Sequence, residues 1–334
     1  MIGIKNIGIY LPSERLSAEQ IAEQSGLPLW VVTEKLGIRQ KPVPGSDDHP
    51  TQMAVWAAQE ALNKAKLKAD DIDVVISMTE EYKEYPVWTA GIKLAYDLGA
   101  NNAYAYDIGQ KCGTGVLALK QAKDLLKADD SVTTVLVAGG YRNGDLIDFK
   151  DPNVRFMYNL GSGGAAALVT RDASHELLAS HIITDGSFSQ DVLVPVGGTK
   201  EPLNPDNLSQ FRLQVRDPAG MKERLEQHSL DNFLQVVKAA VQKSGFTLAD
   251  IAYLAMLHVK PSAHHYLLDK LGLSEEQSIY LADYGHLGQI DQLLSLKLAS
   301  EQGRLKENDL VVLVAAGVGY VWNALCLRWG KDDL

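Results

Sequence analysis

Cys112 lies in the segment Asp107-Ile108-Gly109-Gln110-Lys111-Cys112-Gly113-Thr114-Gly115-Val116. The apolar run Ala103 to Ile108 reads as a strand, and a helix is predicted from Gly113 to Lys127. A thiol at such a turn faces unsatisfied backbone N–H groups and the positive end of the helix dipole. Both favour the thiolate, which is the nucleophilic form. Gly113 and Gly115 leave room for a substrate to reach the backbone. Most lone cysteines are small buried hydrophobes. The strand-to-helix position sets Cys112 apart from them.

Two histidines and one acid occupy comparable places. His258 follows the apolar run Tyr253 to Leu257, and His286 stands in Asp283-Tyr284-Gly285-His286. Glu80 ends the first-half strand Asp73 to Met78. A thiol with two imidazoles suits acyl transfer: the thiolate attacks a thioester, and the imidazoles polarise a carbonyl or stabilise an enolate. A carboxylate beside them suits a general base. Each residue alone has a plainer reading, a hydrogen-bonded core histidine or a solvated acid. His264 and His265 open a predicted helix and read as surface or capping residues. The other four histidines, His49, His175, His181 and His228, form no cluster.

Several functions are disfavoured. The net charge of −10 argues against a phosphate-backbone partner. Two cysteines, Cys112 and Cys326, make neither a disulfide scaffold nor a zinc motif. No P-loop or dinucleotide-binding glycine pattern is present. No leader-like start and no apolar run long enough to span a bilayer is seen, so the expectation is a cytoplasmic protein with no membrane partner and no metal.

Short apolar runs alternate with amphipathic segments, which defines an α/β protein. Helices are predicted at 18–24, 29–36, 52–65, 87–98, 233–243, 263–271 and 287–301. Strands are predicted at 4–10, 132–138, 279–282, 310–315 and 321–329. The second half repeats the first. Tyr106-Asp107-Ile108-Gly109 matches Ala282-Asp283-Tyr284-Gly285, and Val135 to Gly139 matches Leu313 to Gly317. The division is 1–170 with Cys112, a connecting segment 171–232, and 233–334 with both histidines. Duplication carries Cys112 and His286 to one pseudo-two-fold axis, and places Glu80 and His258 after equivalent strands. The proline-rich stretch 142–232 has no copy in the second half and reads as an insertion that shapes a binding site.

These features together resemble β-ketoacyl-ACP synthase III. The resemblance rests on the cysteine turn, the His258 and Tyr284-Gly285-His286 segments, the run Gly161 to Ala165, the terminal Gly317 to Trp322, and Trp30 to Arg39. It implies a five-layered αβαβα thiolase fold, a homodimer, and a phosphopantetheine tunnel ending at Cys112. Coenzyme A or acyl-carrier-protein thioesters are then substrates, with no tightly bound cofactor. Trp30, Arg39, Arg155 and Gly317 are the implied substrate-binding residues. One departure is His286, where the family usually has Asn. Another feature is Glu80, placed before Cys112 much as the general base is in HMG-CoA synthases. Two other readings therefore stay open: a non-decarboxylative condensation using Glu80, and a weakly catalytic acyl-binding partner subunit.

Overall fold

The computed structural model describes residues 1–331 and Leu334. The first half supplies β1 (Gly3–Tyr10), β2 (Arg15–Ser17), α1 (Ala18–Ser25), β3 (Gln40–Pro42), α2 (Pro50–Ala65), β4 (Val74–Ser77), α3 (Ala90–Leu98), β5 (Tyr104–Asp107), α4 (Thr114–Ala128), β6 (Thr134–Tyr141) and β7 (Gly163–Thr170). The rest supplies β8 (His175–Thr184), β9 (Val192–Leu193), β10 (Gln214–Val215), α5 (Pro218–Lys243), β11 (Ile251–Met256), α6 (Pro261–Leu271), α7 (Asp291–Glu301), β12 (Leu310–Gly317) and β13 (Val321–Arg328).

The main sheet runs β11-β12-β13-β8-β1-β7-β6-β4-β5. The repeat is visible in its pairing. β1 pairs antiparallel with β7, β7 antiparallel with β6, and β6 parallel with β4. β8, β13, β12 and β11 follow the same sequence of directions. Side chains alternate between the two faces of each strand. In β6, Val135 and Val137 join the central core, while Leu136 and Ala138 pack outward with α2 and α3. In β12, Val311 and Leu313 face the same central core, while Val312 and Val314 face α5 and α6. The central core also holds Val116 and Leu119 of α4 and Leu293 and Leu296 of α7. β1 and β8 join at only two residue pairs, Gly3–Glu176 and Ile4–His175, so the strands of each half form one layer; with two outer helical layers and the α4–α7 middle layer these make the five-layered αβαβα arrangement. Among the described residues no helix is long and apolar enough to cross a membrane.

Five element expectations change. The segment 279–282 forms no strand; it is tied beside β11 by side chains, with Ser278 Oγ donating to Leu254 O at 2.8 Å. The helix expected from Val87 begins only at Ala90, because Val87 takes a left-handed φ of 58° and is fully exposed. The helix expected at 29–36 is a short π-helical turn, Val31–Lys35. The helix expected from Phe233 starts at Pro218, where the Asp217 side chain caps the Gly220 N–H. Its first half is polar, so periodicity did not reveal it. His175–Thr184, inside the expected connecting segment, forms β8, the counterpart of β1.

Candidate active site

β5 ends at Asp107, whose carboxylate accepts hydrogen bonds from Ala90 N–H, Gly91 N–H and Lys83 Nζ. That anchors the loop after β5 to the start of α3. The chain then enters a 3₁₀ turn, Lys111–Gly113, that runs into α4. Lys111 adopts a left-handed φ of 52°, which swings the chain so that Cys112 is buried at the mouth of the helix. Asn323 of β13 staples the turn: its Nδ2 donates to Gln110 Oε1 and to Gly113 O, both at 2.9 Å. Gly317 backs the same turn. A Cβ there would sit 2.9 Å from Gln110 O and 3.0 Å from Cys112 N.

His286 is delivered by the matching turn of the second half. Its N–H donates to Asn159 O at 2.8 Å, and its carbonyl accepts from Gly161 N–H at 2.9 Å. Gly285, at φ 64°, lies so close to Asn159 O that a Cβ would come within 2.2 Å of it. The Asn159 segment is fixed in turn by Lys41, a fully buried lysine whose Nζ donates to Tyr158 O at 2.8 Å and Leu160 O at 2.7 Å.

The two imidazoles differ in state. His286 Nδ1 lies 2.6 Å from Asp291 Oδ2, and the ring lines the same cavity as the Cys112 thiol. Burial opposes charging this ring. The Asp291 carboxylate and the Cys112 sulfur outweigh it and hold the imidazole well above its ordinary value. Burial pushes the Cys112 thiol up. The His286 ring works against that rise, and Glu80 and Asp291 add to it. His258 has both ring nitrogens occupied: Nε2 donates to Gly37 O at 3.0 Å, and Nδ1 accepts from Asn159 Nδ2 at 2.8 Å. Burial lowers its pKa to about 4, so the ring is neutral at pH 7.

Glu80 is buried beside the thiol. Its Oε2 accepts from Asn143 Nδ2 at 2.8 Å, and Oε1 has no hydrogen-bond partner among the described residues. Burial raises its pKa, and Lys111 opposes the rise. Cys112, His286, His258 and Glu80 all line one cavity of about 1300 Å³. An apolar part of its wall, with Val192, Phe211, Leu213, Met221, Leu225 and Phe233, is drawn from the segment after β8.

The expected binding residues are placed unevenly. Arg155 lines the cavity. Trp30 is half exposed, and Arg39 pairs with Asp283 through Nε and Oδ1 at 2.8 Å; neither lines the cavity. His264, expected at the surface, is buried against Tyr280, while His265 is exposed. Asp291, Asn159, Asn143 and Asn323 were not anticipated. Asp291 left one signal, an acid five residues beyond His286 where α7 begins.

Comparison with known proteins agrees with this fold. The sequence model described as 3-Oxoacyl-[acyl-carrier-protein (ACP)] synthase III matches residues 106–186, and that of its C-terminal part matches residues 241–329. The β-ketoacyl-[acyl-carrier-protein] synthase III of Campylobacter jejuni is 25% identical over 99% of this chain and 98% of its own. A 3-oxopimeloyl-[acyl-carrier-protein] synthase of Rhodothermus marinus is 26% identical over 98% and 93%. The crystal structure of the synthase III from Thermus thermophilus superposes with a TM-score of 0.85 at 24% identity, covering 99% of this chain and all of the other. The chain belongs to the 3-oxoacyl-[acyl-carrier-protein] synthase III family, the condensing acyltransferases of the thiolase fold.

Proposed function

We propose that Cys112 accepts an acyl group from a coenzyme A or acyl-carrier-protein thioester and passes it to a malonyl thioester, giving a β-ketoacyl product. The observation that carries this reading is that Cys112 and His286, whose ring is held by Asp291 at 2.6 Å, line one cavity. The thiol proton moves to His286 Nε2, and sulfur attacks the donor carbonyl. The donor C–S bond breaks, and the proton leaves on the departing thiol. Loss of CO₂ from the malonyl thioester then generates a carbon nucleophile. It attacks the Cys112 thioester and expels the cysteine thiolate, which takes back one proton from solvent through His286. The apolar walls favour an acyl chain longer than acetyl. Arg155 at the cavity wall, with Trp30 and Arg39 outside it, are the proposed contacts for the carrier.

Incubating the protein with acyl-CoA donors of graded length and a malonyl thioester tests this reading. A β-ketoacyl product with equimolar CO₂ supports it; CO₂-free turnover opposes it. One observation favours a second reading. The unpartnered Glu80 Oε1 beside the thiol suits deprotonation of an acetyl-type thioester without decarboxylation. Exchange of the acetyl methyl protons with deuterated water, lost in Glu80→Gln, would single it out.

A homodimer belongs to the same proposal. β5 is an edge strand of the main sheet, and Tyr104 on it and Ile92 and Tyr96 on α3 are exposed. An unpaired edge flanked by apolar side chains suits pairing with a second copy. Light scattering at micromolar concentration tests it, with a monomer mass as the opposing result.

A further inference from the structure

Asp291 opens α7 and is wholly buried. Its carboxylate makes three hydrogen bonds. Oδ2 meets His286 Nδ1 at 2.6 Å and the His258 backbone N–H at 2.8 Å, and Oδ1 takes the Leu287 N–H at 2.7 Å. Among the described residues its only ion-pair partner is His286. A buried carboxylate with no cation is costly, and an imidazolium at His286 supplies that cation.

We propose that Asp291 is a positioning residue for acyl transfer. It fixes the Nδ1–H form of His286, so that Nε2 faces Cys112, and it stabilises the imidazolium formed when the ring takes the thiol proton. Asp291 itself takes no proton; the Nδ1–H stays in place while the Sγ proton passes to Nε2 and on to the leaving thiol. His258 cannot share this work in the observed arrangement, because Gly37 and Asn159 occupy its two ring nitrogens. The thiol is served by one imidazole, oriented by one carboxylate.

The catalytic meaning of this inference rests on the proposed acyl transfer, but thiol reactivity does not require an acyl donor. Other titratable groups face the pair. Glu80 and Lys111 come from the first half, Tyr141 from the end of β6, His258 from beyond β11, and Tyr320 from the turn before β13. Burial raises both tyrosines and so keeps them uncharged. The His286 contribution to the thiol exceeds those of Glu80 and Asp291 and has the opposite sign. Losing the imidazolium therefore moves the thiol up, even though one nearby anion is lost with it.

The test is the rate of Cys112 alkylation by iodoacetamide from pH 5 to 10, located by peptide mass in wild type, Asp291→Asn and Asp291→Glu. Cys326 is fully buried and serves as the internal control. In Asp291→Asn the neutral-pH rate should fall about tenfold or more and the midpoint should rise by about one unit; Asp291→Glu should recover part of both. A folded Asp291→Asn protein with the wild-type profile overturns the proposal. If that variant does not fold, ¹⁵N imidazole spectra of the wild type decide. An Nδ1-protonated ring or imidazolium at His286 through neutral pH supports the proposal, and a neutral Nε2–H ring overturns it. Because no donor is used, the outcome is separate from whether acyl-CoA forms an adduct.

Discussion

His258 Nε2 lies 3.0 Å from the Gly37 carbonyl oxygen, so its donor is committed to the backbone of the other half of the molecule. Gly37 can come this close because it has no side chain: at φ 73°, a Cβ there would overlap the Tyr280 hydroxyl. Tyr280 is held by its own bond to Val259 O at 2.8 Å. The ring is thus a buried neutral joint between the halves.

Acid should loosen that joint. The folded pKa of His258 is depressed to about 4, as is that of the buried His264, against an ordinary 6.5. A depressed folded pKa gives stability that is complete above pH 6.5 and is lost as the pH falls towards 4. Each ring accounts for roughly 2 kcal/mol by pH 5. His286, whose pKa is raised in the fold, gains stability as the pH falls from 7.5 through 6.5 and offsets part of the loss, which the two depressed rings together exceed. Urea unfolding at pH 7.5 and pH 5.0 should show the drop, and His258→Gln should reduce it. Equal unfolding free energies at the two pH values would contradict this.

Lys41 makes the opposite end of the pH scale informative. Burial lowers its pKa to about 7 from 10.5. Stability from this group is complete above pH 10.5 and is lost as the pH falls to about 7. Lys41→Met removes the donor to Tyr158 O and Leu160 O, and should cost about 2–4 kcal/mol by leaving buried carbonyls unpaired. Because that segment holds Asn159 and the His286 backbone, the variant should also slow Cys112 alkylation. A melting temperature and an alkylation rate both equal to wild type would refute the assignment.

Gly317→Ala places a methyl group against Gln110 O and the Cys112 N–H at about 3 Å. The backbone of the nucleophile turn has to shift. Acylation of Cys112 should fall by about tenfold or more, with a destabilisation of about 1–3 kcal/mol. Full acylation in the alanine variant would show that the turn tolerates the shift.

Glu80→Gln keeps the Asn143 contact through its amide oxygen and removes a carboxyl group that burial already disfavours as an anion. Acylation of Cys112 should stay within about threefold of wild type, because the proposed route of the thiol proton runs through His286 and not Glu80. A collapse of the acylation rate would move Glu80 into the first half-reaction.

Much of the arrangement was legible because the chain repeats itself. Cys112, His286, Glu80 and His258 each follow an apolar run, and matching two halves was enough to send them to one place. The state of each group was not legible. The partners of His258 lie 99 and 221 residues away in sequence, beyond any local pattern. Asp291 in a first helical turn looks like an ordinary cap; only the packed middle layer turns its carboxylate onto a ring. β8 was missed because polar residues interleave its apolar ones, and the start of α5 because its first turns are charged.

The central claim, that Cys112 carries the acyl group, is tested most directly by intact-protein mass after mixing with a panel of acyl-CoAs. Wild type should gain the mass of one acyl group, and Cys112→Ser should gain none. No adduct from any donor, or an adduct that persists in Cys112→Ser, would contradict the account.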